Sequence, residues 1–215
     1  ITIIFPGITK SSNQRTKQPL LFLVIFAIKS ETSMMIYTEI TPNPASLKFV
    51  TDKILMPSGN ANFPEPGSAS DAPLAQKLFE FSFVEGVFLG YNFVTVTKIE
   101  SKTWEEIIPM VKDALKTFLE SGQPILLNQP EPEVSSDSDD DPVVRKIKQL
   151  LDDNIRPAVA MDGGDITYES FEEGVVKLRL QGACSGCPSS TMTLKMGIEG
   201  LLTRMVPEVK TVEAI

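Results

Sequence analysis

The stretch "VVKLRLQGACSGCPSSTMTLKMGIE", Val175 to Glu199, holds Cys184 and Cys187, the only cysteines in 215 residues that contain no histidine. Before the cysteines, Val176, Leu178 and Leu180 alternate, the period of a half-buried strand. After them, Leu194, Ile198, Leu201, Leu202 and Met205 recur at helical spacing and are expected to face inward. Pro188 suits the first position of that helix. The cysteines therefore fall in a loop between a strand and a helix N-terminus. There the helix dipole and unpaired amides favour negative charge and are expected to lower a thiol's pKa. Gly182 and Gly186 allow the backbone to turn tightly around the sulfurs.

Two thiols three residues apart are a weak signal alone, and three chemistries remain open. A thiol–disulfide oxidoreductase also places such a pair at a helix N-terminus, but the βαβ unit expected upstream is missing. A structural zinc site needs four ligands, and no histidine completes it, though two chains could share one ion. An iron–sulfur cluster takes four thiolates, which two chains of a symmetric dimer supply.

Upstream, "DITYESFEEGVVKLRLQGAC" reads as a hairpin turning at Glu173-Gly174, preceded by "MDGGD", Met161 to Asp165, which reads as a helix-to-strand turn needing glycine's freedom, the functional alternative being a loop near the cysteine site that shapes a dimer or recipient contact. "DPVVRKIKQLLDDNIRPAVA" reads as one helix, with Asp141 as cap, Pro142 at its first position and an apolar stripe from Val144 to Ile155. "VKTVEAI" adds a last strand. Residues 142–215 thus form a small α+β domain. Residues 129–141 form a boundary: residues 131–141 hold six acids and no base, so this reads as a solvated, flexible acidic linker that leaves the cysteine domain mobile.

Residues 34–128 form a second small α+β domain with no cysteine. "IYTEITPNPASLKFV" gives two strands around a Pro-Asn-Pro turn, and "MPSGNANFPEPGSAS" reads as loop. "APLAQKLFEF" is a short helix with Asp71 as a candidate cap, and "FVTVTKI" alternates as a strand. From Thr103, Trp104, Ile107, Ile108, Val111, Leu115, Phe118 and Leu119 make one helical face that ends at Ser121-Gly122. The aromatic residues of this domain sit at core spacing and read as packing.

Residues 1–33 read as a leader: an organelle-targeting segment, or sequence upstream of initiation at Met34 or Met35. Its run "LLFLVIFAI" is too short to span a bilayer. Net charge is −8, and only the leader is basic, so neither nucleic acid nor membrane is an expected partner. A lone cysteine pair suits a reducing compartment rather than secretion.

"MDGGDI" followed by a hairpin and "LQGACSGCPSSTMTLKMGIE" resembles the Nfu family, the NifU C-terminal type of iron–sulfur scaffold domain, over residues 142–215. Residues 35–124, with "TPNPASLKF" and "LFEFSFVEGVFLGYNFVTVTK", resemble the N-terminal domain joined to it in mitochondrial and alphaproteobacterial members. The resemblance implies a non-enzymatic carrier. It implies a transient 4Fe–4S cluster shared between two chains, with Cys184 and Cys187 of each as ligands. It further implies a homodimer on cluster binding, upstream cluster-assembly proteins as donors and apo iron–sulfur proteins as recipients. The location implied is the mitochondrial matrix in a eukaryote and the cytoplasm in a bacterium.

Overall fold

A computed structural model describes residues 34–128, 141–185 and 188–215, with only the backbone of residues 188–190. The leader, most of the acidic linker, Gly186 and Cys187 lie outside the described residues.

The first domain is an antiparallel sheet of β1 (Ile36–Ile40), β2 (Ser46–Thr51), β3 (Ala61–Phe63), β4 (Val84–Leu89) and β5 (Phe93–Lys98), in the order β1-β2-β5-β4-β3. Two helices, α1 (Pro73–Phe79) and α2 (Trp104–Ser121), complete it. Leu47, Phe49, Val87, Leu89, Val94 and Val96 point from one face of the sheet into a core with Leu74 and Leu78 of α1 and Ile107, Val111 and Leu115 of α2. The period of the α2 face is therefore the period of its burial. At its start the Thr103 amide donates to Glu106 Oε2 at 3.3 Å, and it ends on Gly122 in the left-handed region at φ 70°.

Two expectations for this domain need correction. Part of the presumed loop is the strand β3, which exists because Ala61, Asn62 and Phe63 pair with Leu89, Phe88 and Val87. Asp71 does not cap α1, whose N-cap is Ala72 with no side-chain bond. Instead the Asp71 carbonyl accepts from Leu127 N–H at 2.8 Å and its carboxylate from Asn128 at 3.2 Å, tying down the chain after α2.

In the second domain Asp141 accepts from Val143 N–H at 2.8 Å and starts α3 (Pro142–Leu150). The expected single helix is instead three pieces: α3, a π-helical turn over Leu151–Ile155, and α4 (Arg156–Met161). Pro157 has no N–H to return to the preceding turn, and the wider register absorbs that loss. β6 (Gly164–Glu172) and β7 (Val175–Gly182) form the hairpin, turning through Glu173 and Gly174 at φ 52° and 90°. α5 (Pro188–Met205) then returns the chain to β8 (Thr211–Ala214), which pairs parallel with β7, so β7 is the central strand. Ile147, Val159, Ile166, Leu178, Ile198 and Leu202 are among the buried residues of this core. Met205 is 43% exposed, not inward; Val206, four residues beyond Leu202, fills that place.

One cross-strand row on the other face of the first sheet, Glu39, Lys48, Thr95, Phe88 and Asn62, runs across all five strands by the observed register. The second domain lies against it. Lys48 Nζ donates to Met161 O at 3.1 Å, Thr95 Oγ1 to Gly163 O at 2.6 Å, and Gly182 N–H to Asn62 Oδ1 at 3.4 Å. Where an acidic tether predicts independent domains, the described residues make a direct contact.

Candidate functional site

β7 delivers the chain into the cysteine loop. Gly182 ends the strand at φ 64°, a conformation costly for any side chain. A Cβ there would also stand 2.7 Å from Gly163 O and 2.9 Å from the Phe88 ring. Ser185 then folds back, its amide reaching Gly182 O at 3.1 Å and its hydroxyl the same oxygen at 2.8 Å. Thr191, in the first turns of α5, donates to Cys184 O at 3.2 Å, so the helix holds the loop that precedes it.

Cys184 is a free thiol, 7% exposed, and belongs to the second domain's core. Cys187 lies outside the described residues, so the pair's mutual geometry does not enter here. Among the described residues no group of three or more Cys, His, Asp or Glu side chains converges on a point that could hold a metal ion.

The expectation of a lowered thiol pKa is overturned for Cys184. Burial, reinforced by the charges of Asp162 and Asp165, pushes it up to about 12. The helix dipole acts within its first turn, whereas Cys184 precedes Pro188 and faces apolar side chains, where desolvation dominates.

The Met161–Asp165 segment is a helix-to-strand turn, as its glycines indicate, and it also lies beside the cysteine loop. Met161 ends α4 and is exposed, Gly163 turns at φ 83°, and Gly164 and Asp165 begin β6. Gly163 O accepts from Ala183 N–H at 3.1 Å, so this turn and the cysteine loop brace each other. A Cβ on Gly164 would lie 2.9 Å from Cys184 Sγ and against Gln181 O. Asp165, 9% exposed, accepts from Asn60 Nδ2 at 2.6 Å and sits 3.6 Å from Arg156 Nε.

Sequence reasoning missed the residues of the first domain that meet this site: Asn43, which donates to Ser185 O at 3.3 Å, with Lys48, Asn60, Asn62 and Thr95. A signal existed. Val50, Phe88 and Phe93 form an apolar cluster on the face that alternation would leave to water.

With this geometry in hand, the chain's similarities can be placed. Residues 147–213 match the NifU-like domain family, and residues 36–122 match the family described as the N-terminal part of the scaffold protein Nfu/NifU. "NifU-like protein 4, mitochondrial" of Arabidopsis thaliana is 44% identical, the match covering 98% of this chain and 79% of that protein. The human "NFU1 iron-sulfur cluster scaffold homolog, mitochondrial" is 45% identical over 85% of this chain and 72% of its own length. The solution structure of a NifU-like protein from Saccharomyces cerevisiae aligns with 43% of this chain and 84% of that one, at 25% identity and a TM-score of 0.38.

Proposed function

The chain belongs to the Nfu family of iron–sulfur cluster scaffold proteins, and on that premise we propose that Cys184 and Cys187 of two chains hold one 4Fe–4S cluster as cargo for apo iron–sulfur proteins. The family is named for scaffolding, not for catalysis. The observation that carries the reading is the position of Cys184 at the junction of β7 and α5, three residues before the only other cysteine in a chain without histidine. A 4Fe–4S cluster takes four thiolates, one on each iron. One chain brings two, and a two-fold pair brings the remainder. Exposed Met192 and Met196, one turn apart on the helix that follows the cysteines, offer an apolar face of the kind a partner covers.

Splitting the ligands between chains ties holding the cargo to staying dimeric. Separation leaves each chain with half a ligand set, which suits a carrier that must give up what it binds. Donors are upstream cluster-assembly proteins and recipients are apo iron–sulfur proteins. The relatives are mitochondrial by name, which supports the mitochondrial matrix for a eukaryotic source; the cytoplasm is the counterpart for a bacterial one. Among the described residues no helix is long and apolar enough to cross a membrane.

Anaerobic reconstitution with iron and sulfide tests the proposal. A carrier gains broad visible absorption and becomes dimeric with about four irons per two chains, the stoichiometry of a four-thiolate cluster. Cys184→Ser and Cys187→Ser each remove two of the four thiolates in the dimer, and each abolishes stable binding. Full retention in either variant rejects the ligand assignment. Dithiol turnover by a monomer would instead identify an oxidoreductase, and zinc without iron capacity a structural site.

A further inference from the structure

We infer that the outer face of the first domain's sheet is a docking surface for this chain's own cysteine loop, and that the docked state holds that loop back from a second chain. The docking stands on the contacts alone; its consequence for cluster loading rests on the carrier reading above.

Burial on that face makes sense only with the second domain in place. Lys48 is 8% exposed. Its ammonium pairs with Glu39 at 2.9 Å, donates to Met161 O at 3.1 Å and lies 4.6 Å from the centre of the Phe93 ring. A buried ammonium is strongly unfavourable unless its donors are satisfied, and one of the acceptors comes from the other domain. Thr95, 1% exposed, spends its hydroxyl on Gly163 O. An outer face built only for solvent needs none of this.

The surface also recognises a shape rather than a side chain. Lys48, Thr95, Asn62 and Asn43 all meet main-chain atoms, of Met161, Gly163, Gly182 and Ser185 respectively. Asn60 alone reaches a side chain, the Asp165 carboxylate. Such a pattern reads the backbone path of the turn and the loop together. Gly163 and Gly182 are the points of closest approach: a Cβ at the first would stand 2.8 Å from Thr95 Oγ1, and at the second 2.9 Å from Phe88. Cys184 sits between Gly182, held by Asn62 of β3, and Ser185, held by Asn43 of the turn between β1 and β2. A cluster that bridges two chains needs the loop to face a partner, so the first domain and a second chain compete for it.

The test uses the full chain, reduced and without metal. Alkylation of Cys184 by iodoacetamide is followed by mass spectrometry in wild type, in Thr95→Arg and in the double variant Asn60→Ala, Asn62→Ala. Undocking raises the Cys184 rate about tenfold, the factor that one or two hydrogen bonds supply. Both variants then reach the cluster-bridged dimer sooner than wild type during anaerobic reconstitution. The double variant changes only partly buried positions, so it decides the outcome if the arginine at position 95 unfolds the first domain. Unchanged alkylation with unchanged hydrogen exchange of the Ala183 amide in the folded variants overturns the docking; unchanged alkylation with faster exchange keeps the docking and overturns the shielding of Cys184, which the second domain's own core also buries. Faster alkylation with unchanged loading overturns the competition while the docking stands. Faster alkylation with no cluster bound by any chain, wild type included, rejects the carrier reading and keeps the docking.

Discussion

Thr95 and Ala183, one from each domain, donate to the same oxygen. The Thr95 hydroxyl reaches Gly163 O at 2.6 Å and the Ala183 amide reaches it at 3.1 Å. Thr95→Val keeps the shape and removes one donor, and Gly163 O remains satisfied by Ala183. The cost is therefore near the lower end for a hydrogen bond, about 0.5 kcal/mol. It is read as a faster hydrogen exchange of the Ala183 amide. Unchanged protection at Ala183 would show that the two donors act independently.

Gly164→Ala acts through sterics. The added methyl meets Cys184 Sγ at 2.9 Å and the Gln181 carbonyl, and a β-strand carbonyl has little room to retreat. Overpacking of this kind costs about 1–3 kcal/mol, and here it also displaces the thiol. Gly59→Ala is the contrast. Gly59 turns at φ 66° with nothing within 4 Å, so the variant carries only the left-handed backbone penalty, about 1–2 kcal/mol. Urea unfolding measures both, and cluster retention is expected to fall only in Gly164→Ala.

Cys184 gives stability an alkaline limb. Its thiol is pushed up to about 12 in the fold, above the ~8.5 of an unfolded chain. Below that unfolded value both states keep the proton and the full stability is present. As pH rises beyond it, only the unfolded chain releases the proton, so stability falls progressively until pH approaches 12. Urea midpoints of the metal-free chain between pH 7 and 10 are expected to decline, and Cys184→Ala to flatten this part of the decline. An identical slope in the variant would contradict the assignment.

Glu199 governs an acid limb. Its carboxyl is held below the usual range first by Val212 N–H at 2.9 Å, then by the Thr211 hydroxyl at 2.7 Å. A lowered folded pKa contributes stability that is present above the unfolded value, ~4.3, and lost as pH falls through the folded one. The bond ties α5 to β8, so acid first loosens the last strand. Glu199→Gln is expected to reduce the loss of stability between pH 5 and 3, with hydrogen exchange at Val212 as the local readout.

What the sequence revealed follows from the range over which each signal acts. The α2 face, the Asp141 cap with Pro142, and the Glu173-Gly174 turn are local, each decided by residues within a few positions. The same holds for Cys184 as part of the loop that follows a strand. β3 was illegible because a three-residue strand amid Pro, Gly and Ser is defined by its neighbour β4 and not by itself. The π turn was illegible because Leu150, Leu151 and Ile155 show the same apolar spacing in either helix. The thiol's raised pKa needed the packing of a core, which no motif states. The contact of the two domains needed both at once: Lys48 and Thr95 are ordinary residues for a water-facing row, and only their burial shows that something else lies there.

The parallel pairing of β7 with β8 also bears on the order of synthesis. β7, the strand that ends at the cysteine loop, gains its second neighbour only when Thr211–Ala214 has left the ribosome. Domains nearer the N-terminus fold first. By then the first domain is complete, and its outer row can take up the emerging Gly163 and Gly182 backbone. The same face thus offers the second domain a surface to fold against before its last strand is in place.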